Sequence, residues 1–373
     1  MTLIRGFRMK VLVVYNSAAH YRESVFRLIG KTIECDFVFG RKLGNIKQFD
    51  TATLDGNVII VDNKKLGRFY YQPHVLSLSL RKQYDRYLFL GDTRCLSTWL
   101  SAFVIRLFSP SKRIYFWTHG WYGKESWMEA LLKKFFFRLA NGGIFLYGNY
   151  ARELMVKEGF NPEKLFVIHN SLAYEQQLEL RPSLGNNDTF RCYFNNCFKT
   201  LLFIGRLTTV KRLDLLLEAL TLTKNEYNLA LVGDGTEKES LISKTEELGL
   251  KNRVWFYGAC YNETELGRLI SASDLCVSPG NVGLTAIHSM VFGTPVLTHD
   301  DFPWQMPEFE AIRNGETGCF FRRGDVKSLA ESIDSWFSQD FYDREEIRKK
   351  CYSEIDSYWT PAFQLDVILK HLV

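Results

Sequence analysis

The sequence predicts an α/β protein built as two doubly wound, parallel-sheet domains, and three observations carry that expectation. Short, nearly continuous apolar runs alternate with amphipathic stretches through both halves of the 373 residues. This is the pattern of strands buried on both faces by helices. Charge is divided: residues 1–172 hold 26 Lys+Arg against 13 Asp+Glu, and residues 173–373 hold 21 against 29. A basic half joined to an acidic half, with net charge +5, argues for two domains with different partners. Between them Arg181-Pro-Ser-Leu-Gly-Asn-Asn-Asp and Asn195-Asn196 interrupt every hydrophobic period, as a linker does. The expected boundaries are therefore 1–172, a linker at 173–198, 199–355, and a final segment 356–373.

Taken in order, strands are expected at Val11–Tyr15, Asp36–Phe39, Val58–Val61, Tyr87–Leu90, Ile114–Trp117, Gly143–Tyr147 and Leu165–Ile168. Helical patterns fall between them at Arg22–Gly30, Ser97–Phe108 and Tyr150–Glu158. The second half repeats the arrangement with Thr200–Ile204, Leu229–Val232, Val254–Tyr257, Leu275–Ser278 and Pro295–Thr298. Two such domains place their ligand sites outside the carboxyl ends of the strands, facing a shared cleft. Pro361 suits the first turn of a last helix, Ala362–Leu372, which is expected to cross back to the first domain.

Composition excludes several classes. With 46% hydrophobic, 24% charged and 15% aromatic residues the chain is ordinary globular. The longest run without Lys, Arg, Asp or Glu, Leu275–His299, is broken by Pro279, Gly280, Gly283, Gly293 and Pro295 and is no spanning helix. Arg5, Arg8 and Lys10 precede only five apolar residues, too few for a signal-peptide core. Residues 1–8 are read as a loose extension. The eight cysteines form no CxxC pair and have no His at metal spacing. They are expected to be reduced and mostly buried, in a cytoplasmic protein.

Two segments of the acidic half carry chemistry. In Leu201-Leu-Phe-Ile-Gly205-Arg206-Leu-Thr-Thr-Val-Lys211 a buried strand ends in Gly205, and two cations precede an amphipathic helix, Leu213–Leu222. Point charges beside a helix start suit a diphosphate. In Ser278-Pro-Gly280-Asn281-Val282-Gly283-Leu284-Thr285 a glycine loop leads into a second helix, leaving amides at Gly283, Leu284 and Thr285 for an anion. His288 lies at i+3 from Thr285 on the same helix face.

Together these residues resemble the C-terminal half of the GT-B retaining glycosyltransferases, specifically glycosyltransferase family 4 of the group 1 glycosyl transferases. The likeness runs through Gly205-Arg206…Lys211, Leu231-Val-Gly233-Asp-Gly235, Val254-Trp-Phe-Tyr-Gly258, Ala272-Ser-Asp-Leu…Ser-Pro279, Gly283-Leu284…Gly293-Thr-Pro-Val and Glu310-Ala-Ile-Arg-Asn-Gly315. The resemblance implies that Arg206 and Lys211 hold the diphosphate of a nucleotide sugar and stabilise the charge of its departure. Asn281 and the amides around Gly283–Thr285 would bind the distal phosphate. Gly205, Gly233, Gly235, Gly258, His288 and Glu310 would line the donor pocket. No Asp-x-Asp pair stands at a strand end, so neither a metal nor another cofactor is expected. The chain departs from the family where two Glu are usual: Gly280 and His288 stand there instead.

In the basic half, Ile114-Tyr-Phe-Trp-Thr118-His119-Gly120 delivers His119 to a loop at a strand end. Similar enzymes have a His there, near the reaction centre. His20 and Arg22 in the first loop, and Glu125 beside His119, are acceptor-side candidates. Basic-aromatic clusters at Arg81–Arg86, Arg106–Arg113 and Lys133–Arg138 belong to no nucleic-acid module and suit anionic lipid head groups or a polyprenyl-diphosphate acceptor. The resemblance implies metal-independent, retaining sugar transfer from a nucleoside-diphosphate sugar to a glycan or lipid-linked glycan. The context is bacterial capsule, O-antigen or other surface polysaccharide assembly, at the inner face of the cytoplasmic membrane. Inverting transfer, nucleotide-sugar hydrolysis or epimerisation, and a non-catalytic nucleotide-sugar-binding subunit are the alternatives that the absent carboxylates leave open.

Overall fold

The computed structural model describes residues 9–41, 47–184, 188–339 and 343–373. The extension at 1–8 and the 185–187 portion of the expected linker lie outside the described residues. The chain divides into two units, 1–173 with 361–373, and 174–360.

In unit 1 the strands are β1 (Val11–Tyr15), β2 (Cys35–Gly40), β3 (Asn57–Val61), β4 (Lys64–Leu66), β5 (Phe69–Tyr71), β6 (Arg86–Leu90), β7 (Arg113–Thr118), β8 (Gly143–Leu146) and β9 (Leu165–Val167). Seven of them form one parallel sheet in the order β3-β2-β1-β6-β7-β8-β9, and β4 and β5 make a small antiparallel hairpin. Every residue of β1 is buried, as expected of a central strand covered on both faces. The helices are α1 (Glu23–Thr32), α2 (Val75–Ser79), α3 (Leu96–Phe108), α4 (Trp127–Arg138) and α5 (Asn149–Lys157). Ser126 caps α4 in a reciprocal capping box with Glu129.

Unit 2 holds α6 (Tyr174–Leu180), α7 (Thr189–Phe194), β10 (Lys199–Ile204), α8 (Leu213–Leu222), β11 (Tyr227–Val232), α9 (Lys238–Glu247), β12 (Val254–Gly258), α10 (Glu263–Ala272), β13 (Leu275–Ser278), α11 (Thr285–Val291), β14 (Val296–His299), β15 (Gly318–Phe321), α12 (Val326–Phe337) and α13 (Arg344–Tyr358). Its six strands are parallel in the order β12-β11-β10-β13-β14-β15. The last helix, α14 (Pro361–Leu372), returns to unit 1. There Ile368 and Leu372 are fully buried with Val25, Phe26 and Ile29 of α1, and the Tyr115 hydroxyl donates to the His371 carbonyl at 2.8 Å.

The stretch expected to be a linker, 173–198, instead carries α6 and α7 within unit 2. Apolar contacts hold it: Phe190 is buried and the Tyr193 ring stacks on Trp255 at 3.9 Å. Of the polar residues that broke the period, Arg181–Ser183 form a 3₁₀ turn after α6, and Asn195-Asn196 ends α7 before β10. Residues 356–360 also fall in unit 2 rather than in the final segment. All eight cysteines are free; Cys35, Cys95, Cys276 and Cys351 are buried, whereas Cys192 and Cys197 are exposed. Burial of the thiols is thus less general than the sequence suggested.

One surface of unit 1 departs from the usual polar exterior. Trp99 of α3 lies 4.8 Å from Phe136 of α4, ring to ring, so the two helices are neighbours. Their outer faces expose Phe103, Leu107 and Phe108 on α3 and Trp127, Met128, Leu131 and Phe135 on α4, with Trp127 at 75%. Arg106, Lys124 and Arg138 are exposed beside them. Among the described residues no helix is long and apolar enough to cross a membrane.

Candidate functional site

In unit 2 the loops after β10, β11 and β12 are joined by backbone hydrogen bonds. Gly205 N–H donates to Val232 O at 3.0 Å, Leu207 N–H to Asp234 O at 3.0 Å, and Gly233 N–H to Gly258 O at 2.8 Å. Gly233 has φ +157°, and a Cβ there would lie 1.8 Å from Gly205 O. Gly235 is likewise closed against Leu207 O, at 2.2 Å. These glycines let the loop backbones touch, and so fix where Arg206 and Lys211 emerge.

Arg206 is exposed and forms no ion pair among the described residues. Lys211 ends a short 3₁₀ turn, Thr209–Lys211, and its Nζ donates to Asn281 O at 2.7 Å and to Asn281 Oδ1 at 2.9 Å. Burial lowers the Lys211 pKa, the Arg206 charge lowers it further, and the Glu308 carboxylate opposes both. Glu308, 2% exposed, thus lies close enough to act on Lys211. Glu310, selected from the sequence, is partly exposed and acts on Arg313, while Glu308 acts on Lys211. The 3₁₀ turn Pro307–Ala311 buries one and turns the other outward.

Gly280 follows β13. Its N–H donates to Lys211 O at 3.0 Å, and a Cβ would lie 2.0 Å from Val210 O and 2.8 Å from Lys211 Cα. The absence of a carboxylate at 280 is therefore enforced by backbone packing. Val282 N–H donates to Gln305 Oε1 at 2.8 Å, while Gln305 Nε2 donates to Thr298 Oγ1 and His299 O. This buried amide pins the glycine loop. Gly283 leads into α11, where the first bond is Ala286 N–H to Gly283 O. The Leu284 and Thr285 amides precede it, as the first donors of a helix do. The Thr285 hydroxyl donates to Ile204 O at 3.2 Å, tying α11 to the end of β10.

His288 is not free for a ligand on both nitrogens: Nε2–H donates to Glu263 Oε1 at 2.9 Å, and Gln177 Nε2 donates to the same oxygen at 2.7 Å. Burial raises the Glu263 pKa, but the hydrogen bond and charge of His288 together with the Gln177 bond hold it below the ordinary Glu value. Glu263 was missed because it opens α10, away from the motif in sequence. The substitution of His for Glu at 288 was its one signal, since a half-buried imidazole there needs an acceptor.

Unit 1 contains a cavity of about 450 Å³ at the carboxyl ends of β1, β6, β7 and β8, where the sheet order reverses. His119 and Arg22, both expected, line it; His20 does not, its Nδ1 facing the Lys47 carbonyl instead. Thr118 Oγ1 donates to Gly91 O and accepts from Gly120 N–H, which fixes the turn carrying His119. The His119 ring lies 4.7 Å from that of Tyr147, and its Nδ1 has no partner among the described residues. Burial, with the Arg22 and Lys133 charges, pushes its pKa down to about 4. It is neutral at pH 7. Glu125 clamps its own loop: its carboxylate accepts from the Tyr122 and Gly123 amides at 2.8 Å and pairs with Lys133 at 2.6 Å. Asp92, Arg94 and Tyr147 also line the cavity. The Gly91-Asp92 pair at the end of β6 was the signal available for the first of these.

Residues 193–354 match the family described as glycosyl transferases group 1. An uncharacterized glycosyltransferase of Methanocaldococcus jannaschii is 28% identical over 148 residues, 38% of this chain and 35% of that protein. The lipopolysaccharide 1,6-galactosyltransferase of Escherichia coli K12 is 21% identical over 218 residues, covering 57% of this chain and 56% of the relative. The match thus spans about a third to a little over half the length of these curated relatives. Among solved structures, Anabaena Alr3699/HepE in complex with UDP has a TM-score of 0.71 at 18% identity, covering 98% of this chain and 99% of that one. The lipopolysaccharide outer core galactosyltransferase WaaB in its apo form has a TM-score of 0.71 at 16% identity, covering 97% and 99%. The fold is that of the GT-B glycosyltransferases, and its 193–354 segment is similar to the glycosyl transferases group 1.

Proposed function

We propose that the protein is a glycosyltransferase that takes a sugar from a nucleoside-diphosphate-sugar donor held by unit 2. The observation that supports this reading is the arrangement of exposed Arg206 and of Lys211 held on Asn281 after β10, groups that would receive the diphosphate together with the first amides of α11. When the bond between the anomeric carbon and the diphosphate breaks, negative charge grows on the departing oxygen. Fixed cations and amides stabilise that charge without reorganising. The solved UDP complex of similar fold supports a nucleotide-sugar donor. No divalent metal is needed in this reading, since two cations neutralise the diphosphate.

The acceptor is a glycan or lipid-linked glycan bound by unit 1, in bacterial surface polysaccharide synthesis; the similarity to lipopolysaccharide glycosyltransferases supports this. The anomeric configuration is retained, as the group 1 resemblance implies. The exposed apolar faces of α3 and α4, flanked by Arg106, Lys124 and Arg138, dock on an anionic bilayer at the cytoplasmic side. Apolar side chains enter the interface while cations meet head groups.

A thermal-shift screen against UDP-, GDP-, ADP-, CMP- and dTDP-sugars in the presence of EDTA tests the donor reading. One donor should raise the melting temperature of the wild type and fail to do so in Arg206→Ala. No shift with any of them removes the site. Analysis of the product anomer then separates retention from inversion or hydrolysis.

A further inference from the structure

Unit 1 buries a full positive charge with no counter-ion among the described residues. Arg22 is 8% exposed, and its guanidinium carbon lies 5.1 to 5.5 Å from the ring centroids of Tyr15, Tyr21, Trp117 and Tyr147. Nη2 donates to the Tyr147 hydroxyl, whereas Nη1 has no partner among the described residues. Aromatic faces attract a cation but do not neutralise it, and an isolated buried charge is costly. The surroundings do not offset this charge, since the other cations at the cavity are already paired, Lys133 with Glu125 at 2.6 Å. The cavity that Arg22 lines also presents Arg94 and Lys133 and a single carboxylate, Asp92, already paired with Arg94 at 3.1 Å. His119, lining the same cavity, adds no charge but offers an imidazole whose Nδ1 is unpartnered.

We propose that this cavity binds an oxyanion of the acceptor, a carboxylate or a phosphate ester, with Arg22 as its principal partner and His119 beside it. The proposal deepens, and rests on, the reading of unit 1 as the acceptor-binding unit. It excludes a purely neutral glycan at this point, because such a ligand would leave the Arg22 charge uncompensated. A planar guanidinium held by rings on several sides is preorganised, so little ordering is required on binding.

Isothermal titration of the full chain at low salt, without nucleotide, tests the proposal with inorganic phosphate, glucuronate and, as neutral control, glucose. Saturable binding is expected for at least one anion and not for glucose; which anion binds distinguishes phosphate from carboxylate. Affinity should fall about tenfold or more in Arg22→Gln, as loss of a charge-assisted hydrogen bond implies. Because phosphate can also occupy the proposed unit 2 site, the titrations are repeated in Arg206→Ala, and the binding that remains there is the binding that adding Arg22→Gln must remove. Absence of saturable binding by either anion, or undiminished binding in Arg22→Gln, overturns the proposal. Should Arg22→Gln not fold, Arg94→Gln decides, since its side chain is 64% exposed: a few-fold loss supports the site and an unchanged affinity refutes it. A nucleotide-sugar thermal shift on the same preparation reports the donor reading independently, so either can fail alone.

Discussion

Replacing Gly280 with alanine should damage unit 2 and donor binding together. The added Cβ would lie 2.0 Å from Val210 O and 2.8 Å from Lys211 Cα, against roughly 3.4 Å for ordinary packing contact. Both obstructing atoms are backbone, so no rotamer change relieves the clash; the 209–211 turn must move by roughly 1 Å or more. That movement breaks the Gly280 N–H to Lys211 O bond and displaces Lys211 from Asn281. Overpacking of this kind costs about 1–3 kcal/mol. For a unit of this size that corresponds to a fall of roughly 2–12 °C in melting temperature. Donor affinity should drop in parallel, since Lys211 is carried on the displaced turn. Gly280→Glu, which restores the carboxylate usual in the resembling family, should do worse and not rescue anything. Scanning calorimetry with and without the donor found in the screen measures both quantities. A melting temperature within 1 °C of wild type (order of measurement error) and an unchanged dissociation constant in Gly280→Ala would refute the packing argument.

Other expectations are tested more briefly. Lys211→Ala and Arg206→Ala should each weaken donor binding about tenfold or more by calorimetric titration, because each removes a charge-assisted contact to phosphate. The Glu263 carboxyl is held below its ordinary value, so its contribution is present at neutral pH and is lost as pH falls through the folded-state pKa, below about 4.5. Denaturant titrations of wild type and Glu263→Gln should therefore differ by about 1–3 kcal/mol at pH 7 and converge in acid; a gap independent of pH would contradict the pairing. His119 behaves oppositely to a His that gains an acidic partner. With its folded pKa at about 4 against 6.5, and with Arg22, Lys133 and Asp92 facing it, the unfolded chain binds the extra proton between those values. Stability should fall as pH drops from 6.5 toward 4, by about 3 kcal/mol at most, and His119→Ala should flatten that limb. Sedimentation with phosphatidylglycerol-containing vesicles at low salt should capture the wild type, and Trp127→Glu with Phe135→Glu should lower partitioning more than tenfold, since each ring buries roughly 1.5–3 kcal/mol of apolar surface. A wild type left in the supernatant would end the docking reading.

Strands and their parallel pairing were legible because apolar runs such as Val11–Tyr15 and Leu275–Ser278 are recognisable from composition alone, and both runs match the structure to the residue. The helices of 174–194 were not, because short helices joined by polar turns have no period long enough to register. At the site, Arg206 and Lys211 could be selected from a strand-loop-helix pattern. Their setting could not: Asn281 was selected as a donor residue but not as the partner of Lys211, and Glu308 and Glu263 come from other elements that only the folded chain brings to Lys211 and His288. Gly280 taught a similar lesson. Read along the sequence it is a lost carboxylate, whereas in three dimensions it is the contact that lets two loops close.

The return of α14 to unit 1 has a consequence for biosynthesis. Leu365, Ile368 and Leu372 complete the apolar layer over α1, and the His371 ring stacks on Phe166 at 3.8 Å. During vectorial synthesis the N-terminal sheet leaves the ribosome with that layer open, and it stays open until all of unit 2 has been translated. Unit 2, continuous in sequence, can finish folding first, and the N-terminal sheet closes last. A fragment ending near residue 173 would thus expose the side chains that α14 covers and should aggregate, whereas supplying residues 361–373 through a short fused linker should restore it.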